Sequence, residues 1–427
     1  MTFSTIDFTS RGKTVAFVLF CLTTAQLVFQ QPYIVILPDE RAKVFSGSLC
    51  LLTLTLTILI GRDKQRFKFG ADFWISAILS LIAILSGIFS VVPKQSLERV
   101  YVILSAGLGG YWCSKFLLTK PNFRRIFQWF VNALLLCVIF LALLGLYLTG
   151  KPHEFLDFHW HPVGSRLLLM SFAPLSLLLG NVRRDRILGG IILSANLIAI
   201  YIVGRYAFIE SILVIPAIVS IIAFVVFKWT GKSRRIMAVI LAITVVTGVF
   251  FAYLNPKKLD REHISVAYRV ESLFFSIDIA SKHPWLGNGL WAPRDLLAKD
   301  YTLHYPFVSA EQFSEWVRNQ RTSEDLYLTF LADLGVPFVI LYFGSIMYLL
   351  IKLIQMSRRP DSNLAFHPAA ILLPLLAECL RFIVVDDLFE PQLSWFFHIL
   401  LGLVAAGILA SSDNFKQDQE QLHFPFR

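Results

Sequence analysis

Charge is what this sequence has little of. Of 427 residues only 16% are Asp, Glu, Lys or Arg, where an ordinary soluble domain carries about 25%. Such a chain lacks the polar surface to cover a core in water, so the two or three soluble domains that its length suggests are excluded. The 56% apolar content, with 38 Phe, also excludes a disordered or collagen-like chain. Cysteine is scarce too. Cys21, Cys50, Cys113, Cys137 and Cys379 all fall inside apolar runs, as small buried residues do, and not as a disulfide framework. His-Glu-x-x-His, paired-Cys and Asp-x-Asp patterns are missing, which leaves no motif for a metal. Nothing implies a cofactor, and there is no fixed-period repeat or low-complexity tract.

What the sequence does have is long apolar runs. A spanning helix needs about 20 mostly apolar residues. Twelve stretches qualify, at roughly 14–36, 44–61, 73–92, 98–117, 126–148, 166–180, 187–204, 207–228, 236–254, 326–351, 367–385 and 393–411. They are continuous and lack the alternation of a membrane barrel, so they predict helices. The first follows a basic stretch but has no small-residue cleavage site and opens a regular series, so it reads as a span. The expected fold is an all-α integral membrane protein of about twelve transmembrane helices. Residues 1–254 hold spans 1–9, 255–325 form one large loop, 326–411 hold spans 10–12, and 412–427 form a tail.

The net charge of +10 resembles a nucleic-acid signal until the 39 cations are placed. Twenty-two lie on one side, in basic clusters such as Arg62–Lys68, Lys115–Arg125, Arg183–Arg186 and Lys228–Arg235. Eight lie at the other ends of the spans: Arg41, Lys43, Lys94, Arg99, Lys151, Arg166, Arg205 and Arg381. Nine more sit in the long loop with ten acids, and long loops do not set topology. The bias predicts cytoplasmic termini and an external loop. The basic clusters face anionic membrane lipid, and no motif points to a nucleic-acid partner.

The long loop is patterned rather than linker-like. Val270, Leu273, Phe274 and Ile277 recur at helical spacing and predict an amphipathic helix that lies in the interface or caps the bundle. His283-Pro284-Trp285-Leu286-Gly287-Asn288-Gly289 predicts a turn, with Trp285 suited to the membrane interface. Ser309 with Gln312 predicts a second helix start. Charges beside spans gather at the outer ends: Arg205 in a tight hairpin, Arg269 at the head of the loop helix, Asp333, the Glu378 and Arg381 pair on one face, then Asp386, Asp387 and Glu390. Each has a bland reading. Arg205 snorkels to headgroups, Glu378–Arg381 is a structural ion pair, and the acids are solvated loop. His159, His161 and His283 read as loop and turn residues.

These features together resemble the bacterial O-antigen ligase and O-antigen polymerase family over about residues 70–410. The likeness is carried by Ser90-Val91-Val92-Pro93-Lys94-Gln95-Ser96-Leu97, by Arg205 in its hairpin, by Arg269 followed by the His283–Gly289 turn, and by Leu326-Tyr327-Leu328 through Leu334-Gly335. The resemblance implies a GT-C-like membrane glycosyltransferase. It would move a glycan from a polyprenyl diphosphate (undecaprenyl type) carrier to a hydroxyl acceptor such as lipid A-core or another glycan. The site would face the periplasm from the bacterial inner membrane. Arg205 and Arg269 would clamp the leaving diphosphate by charge-assisted bonds without a metal. His304, Arg321, Arg381 and Trp285 join them as expected substrate-binding residues. Ligases of this family carry a His, then Asn, Ser or Gln, then nine residues and Gly. Here Gly335 stands at the right distance but the pair is Glu324-Asp325. Glu324 becomes the candidate base, with His304 as a substitute and helix N-terminal acids favoured by the dipole as the bland reading. The missing His pulls toward a repeat-unit polymerase or another acceptor, with protein O-glycosylation third. A glycosyltransferase using Asp39-Glu40 is disfavoured by the shortness of that loop. The rival from another class is a twelve-span transporter or flippase, which would keep its charges near the midplane.

Overall fold

The computed structural model describes residues 8–29, 39–61, 70–150, 160–180, 182–204, 270–292, 301–304, 309, 311, 313, 315, 325–357, 367–382 and 387–422. Among them the secondary structure is all helical. Helices α1 (Phe8–Val28), α2 (Asp39–Gly61), α3 (Ala71–Ile88), α4 (Pro93–Leu117) and α5 (Pro121–Thr149) are followed by α6 (Trp160–Met170), α7 (Phe172–Leu178) and α8 (Arg183–Gly204). A loop helix, α9, covers 270–282. Then come α10 (Leu326–Ser357), α11 (Pro368–Arg381), a short 3-10 turn Asp387–Phe389, and α12 (Pro391–Leu422). Five helices among the described residues are long and apolar enough to cross a membrane, at Arg41–Leu59, Ala71–Ile88, Pro121–Thr149, Leu326–Met356 and Pro391–Ile408. Gly12–Val28 and Val163–Leu178 are shorter apolar segments. Spans 8 and 9 of the sequence reading lie outside the described residues, as does most of 255–325.

The expected spans at 98–117, 187–204 and 367–385 form helices that are not among these five, and two other spans differ in shape. The sixth is broken at Ser171, whose backbone N–H and hydroxyl both turn back to the Leu168 carbonyl, at 3.2 and 2.6 Å. The twelfth runs on as helix to Leu422, well into the expected tail.

α4 is the axis of the bundle and packs along α12, α2 and α3. It is also the least apolar of the long helices, because it spends core positions on glycine and serine. That choice is explained by the approach of α12. A Cβ on Gly110 would stand 2.5 Å from the Trp395 carbonyl oxygen, and one on Gly109 would stand 2.7 Å from the Trp395 ring. Gly402 of α12 returns the contact against Tyr111 and Ser114. In lipid, close backbone packing through small residues replaces the hydrophobic drive that holds helices together in water. Trp395 is wholly buried there, and its indole N–H donates to Thr24 Oγ1 at 3.1 Å.

Candidate active site

The polar centre of the molecule lies where α10 breaks. Gly335 adopts φ 81°, ψ 172° inside that helix, two residues before Pro337. Such a break frees carbonyls and N–H groups that lipid cannot satisfy, so it survives only when protein fills it. The His283–Gly289 turn does so. The Asn288 N–H and side-chain amide both donate to the Ala332 carbonyl at 3.0 Å, and Gly289 N–H donates to the Asp333 carbonyl at 2.9 Å. Val336 N–H donates in return to the Pro284 carbonyl at 2.9 Å. Ser86 Oγ adds a bond to the Asp333 carbonyl at 2.7 Å. Gly287 (φ 64°) and Gly289 (φ 90°) are required by this fit, since a Cβ on the first would strike Asp333 and one on the second Ser90. Three sequence motifs far apart in the chain, Ser90–Leu97, His283–Gly289 and Leu326–Gly335, are therefore one packed unit.

Just past the turn stands a residue that the sequence reading missed. Trp291 has φ 65°, among the described residues the only non-glycine with positive φ. Strain of this kind costs about 1–3 kcal/mol and collects at functional sites. Three contacts hold it: its N–H donates to Asp333 Oδ2 at 3.2 Å, its ring meets Phe389 edge-on at 5.8 Å, and the Arg99 guanidinium lies 4.2 Å over its face. Arg99 is itself one of a group of buried cations. Lys43 from α2 meets Glu390 Oε1 at 2.9 Å, and Arg99 and Arg166 act on the same carboxylate. Burial alone would push the Glu390 carboxyl up, but these three cations hold it below the usual carboxylate range. Arg166 also donates to the Val28 carbonyl at 3.1 Å.

The outer loop contributes a second cluster. α9 buries Glu271, Phe275 and Ile279 and leaves Leu273, Phe274 and Ile277 exposed. The apolar stripe predicted from periodicity is thus the outward face, and the buried face carries a carboxylate. Glu271 Oε1 accepts from the Tyr301 hydroxyl at 2.6 Å and from His304 N–H at 2.9 Å. Burial, then the bond to Glu271, push the Tyr301 phenol well above its usual range. Phe313 closes the cluster against Phe275 and Tyr301, and its N–H turns back to Ser309 where the second loop helix was expected. Gln312 lies outside the described residues.

Of the expected site residues, Arg205, Arg269, Arg321 and Glu324 lie outside the described residues. Trp285 sits in the docked turn and is 74% exposed. His304 stands in the loop cluster. Arg381 is buried and directs Nη1 to Glu378 Oε2 at 3.4 Å and to Ser165 Oγ, the geometry of a structural ion pair. Asp325 caps α10, with Oδ1 accepting from Leu328 N–H at 3.0 Å. The cluster around Lys43 and Arg99 could have been sought in the sequence, since all its cations were among the eight outer-end ones. The Glu271 cluster gave no such signal.

A helical multi-pass membrane protein whose broken helix is filled by a docked turn is the class these features define. Residues 192–343, which include the turn, the break and the loop cluster, match the family model described as O-antigen ligase. Comparison of the whole chain with curated proteins gave no match.

Proposed function

We propose that the protein is a membrane glycosyltransferase that moves a glycan from a polyprenyl diphosphate carrier to a hydroxyl acceptor at the periplasmic face of the inner membrane. The observation that carries the reading is the overlap of the O-antigen ligase match with the break-and-turn unit. Buried cations from α2, α4 and α6 gather at the same end. Such cations are costly in lipid and usually functional, and their field favours an anionic substrate. In the proposed reaction Arg205 and Arg269 hold the two phosphates and neutralise the charge that grows as the sugar–phosphate bond breaks. Arg321 and Trp285 contact the sugar portion, and Arg381 supports the site from below. Two groups can take the acceptor's proton: Glu324, at the position of the family's His, and His304 in the loop.

A repeat-unit polymerase is the second reading. It is favoured by one observation, that the His of the ligase pattern is replaced by Glu324-Asp325 and that Asp325 serves as a helix cap. A transporter is disfavoured, because the buried cations Lys43, Arg99, Arg166 and Arg381 among the described residues lie toward the outer helix ends and not at the midplane.

The test is transfer in vitro from a polyprenyl-diphosphate glycan, with lipid A-core and a second carrier-linked glycan offered as acceptors. Arg205→Ala or Arg269→Ala is expected to lower transfer by at least about 10²-fold, while the purified protein keeps its thermal transition. Full activity in either variant sinks the diphosphate clamp. Product on lipid A-core indicates a ligase, and chain extension indicates a polymerase.

A further inference from the structure

The loop cluster is a carboxylate, a phenol and an imidazole in series, and its hydrogen-bond directions can be read from its chemistry. Tyr301 has one hydroxyl proton, and at 2.6 Å from the buried Glu271 Oε1 that proton is committed to the carboxylate. The phenol oxygen can then only accept from a second partner. The partner is His304 Nδ1, at 3.3 Å, so Nδ1 carries the hydrogen. The proton-free nitrogen is Nε2, the one that can act as a base. The ring stacks on Phe274 at 5.3 Å and 26°, and its backbone N–H is fixed on Glu271 at 2.9 Å, so it is held in place while its side chain stays 56% exposed. Among the described residues, the charged groups near it include Glu271, 4.0 Å from Nδ1, and Asp278, which is paired with Lys282 at 2.9 Å and acts on Tyr301. The 311–315 segment meets the cluster through the Phe313 ring. A base oriented by a second group that is oriented by a third is the arrangement that activates hydroxyl nucleophiles in enzymes.

We propose that His304 is the general base for the acceptor hydroxyl, and that Glu271 and Tyr301 are positioning residues that fix its tautomer. This assignment rests on the glycosyl-transfer reading above. In the step, Nε2 takes the hydroxyl proton as the acceptor oxygen bonds to the anomeric carbon. The bond from that carbon to the diphosphate oxygen breaks, and its electron pair leaves with the polyprenyl diphosphate. The imidazolium is steadied by Glu271 across Tyr301 and then gives its proton to water. Arg269 precedes Glu271 by two residues, which places the proposed donor clamp and the base on adjoining stretches of one loop.

The experiment uses the full-length protein in detergent with a polyprenyl-diphosphate glycan and an acceptor. His304→Ala is expected to lower kcat by about 10²–10⁴-fold, with added imidazole restoring part of the rate and donor KM unchanged. In His304→Gln any fall of the wild-type rate at acid pH should disappear. Tyr301→Phe and Glu271→Gln should lower kcat less and shift that limb. Rate loss without imidazole rescue, and with the acid limb intact, overturns the base assignment in favour of a structural role. An unchanged His304→Ala rate with an inactive Glu324→Gln moves the base to Glu324, leaving the glycosyl-transfer reading standing. No transfer by the wild type from any carrier-linked glycan sinks that reading itself.

Discussion

At Asp325 the surroundings decide between two uses of a carboxylate. The acid pair at the head of α10 reads in sequence either as chemistry or as helix-dipole complement, and the Leu328 N–H on Asp325 Oδ1 assigns Asp325 to the second. The cap comes at a cost. Burial pushes the carboxyl up to about 6, against the pull of the Leu328 and Tyr327 N–H groups. Because the folded value is raised, the folded state holds the proton more tightly than the unfolded chain. Stability is therefore highest below the unfolded value of about 3.9, falls as pH rises through about 6, and stays reduced above it. Asparagine caps equally well and has nothing to ionise. Asp325→Asn should thus be more stable than wild type at pH 8 by up to roughly 2–3 kcal/mol, seen as a higher unfolding temperature, and the difference should shrink toward pH 4.5. Asp325→Ala should lose about 1 kcal/mol of capping at pH 8 relative to Asn. Thermal unfolding in one detergent at both pH values checks this. A wild-type pH dependence that persists in the Asn variant would place the titrating group elsewhere. Capping chemistry of this sort was legible in the sequence. The strain at Trp291 was not, because it is imposed by Asp333, Phe389 and Arg99, none of them near it in the chain.

For elements, the decisive feature is the interlock of a broken helix with a re-entrant turn. Gly335 sits at φ 81°, ψ 172°, a region that side chains avoid, and a Cβ there would stand 2.7 Å from the Trp285 carbonyl. Gly335→Ala should therefore cost about 1–3 kcal/mol in backbone strain and push the turn off α10, exposing 284–291 to protease. Gly344, nine residues further along the same helix, has open space at its Cβ, and Gly344→Ala should be neutral or stabilising by up to about 1 kcal/mol. Equal destabilisation by both variants, read from unfolding temperature and proteolysis, would mean that the turn does not depend on the break. The sequence marked the turn through its Pro and two Gly, and marked α10 by its apolar run. It could not show that one fills the other, because no local pattern records which orphan carbonyls a distant loop will satisfy. The same limit explains α9. Periodicity found a helix and an apolar stripe, but the structure spends the buried side on Glu271, Phe275 and Ile279 and turns Leu273, Phe274 and Ile277 outward. An apolar face turned away from the protein fits a helix that rests on the membrane interface.

Across the whole molecule, the structure alters what the outer-end cations mean. The topological argument set twenty-two cations against eight, and gave all eight equal weight. Four of those eight, Lys43, Arg99, Arg166 and Arg381, are buried in the bundle, and two of them are paired with Glu390 and Glu378. On the opposite side Lys120, Arg125, Arg183 and Arg184 are exposed where headgroups would meet them, while Lys115 and Arg124 are buried. Discounting the buried group sharpens the bias, since orientation is set by loop charges beside the span ends. The expected arrangement has the loop cluster, the docked turn and the α10 break outside, and the N-terminal and C-terminal segments in the cytoplasm. Thr302 and Arg184 are both exposed and lie on opposite sides in that arrangement. A cysteine at Thr302 should react with a membrane-impermeant maleimide in intact cells, and one at Arg184 only after permeabilisation. The five native cysteines lie within helices of the bundle, so the wild-type protein supplies the background. Labelling of the Arg184 cysteine in intact cells, with the Thr302 cysteine protected, would invert the molecule. It would put Glu271, Tyr301 and His304 on the cytoplasmic face, away from a periplasmic acceptor.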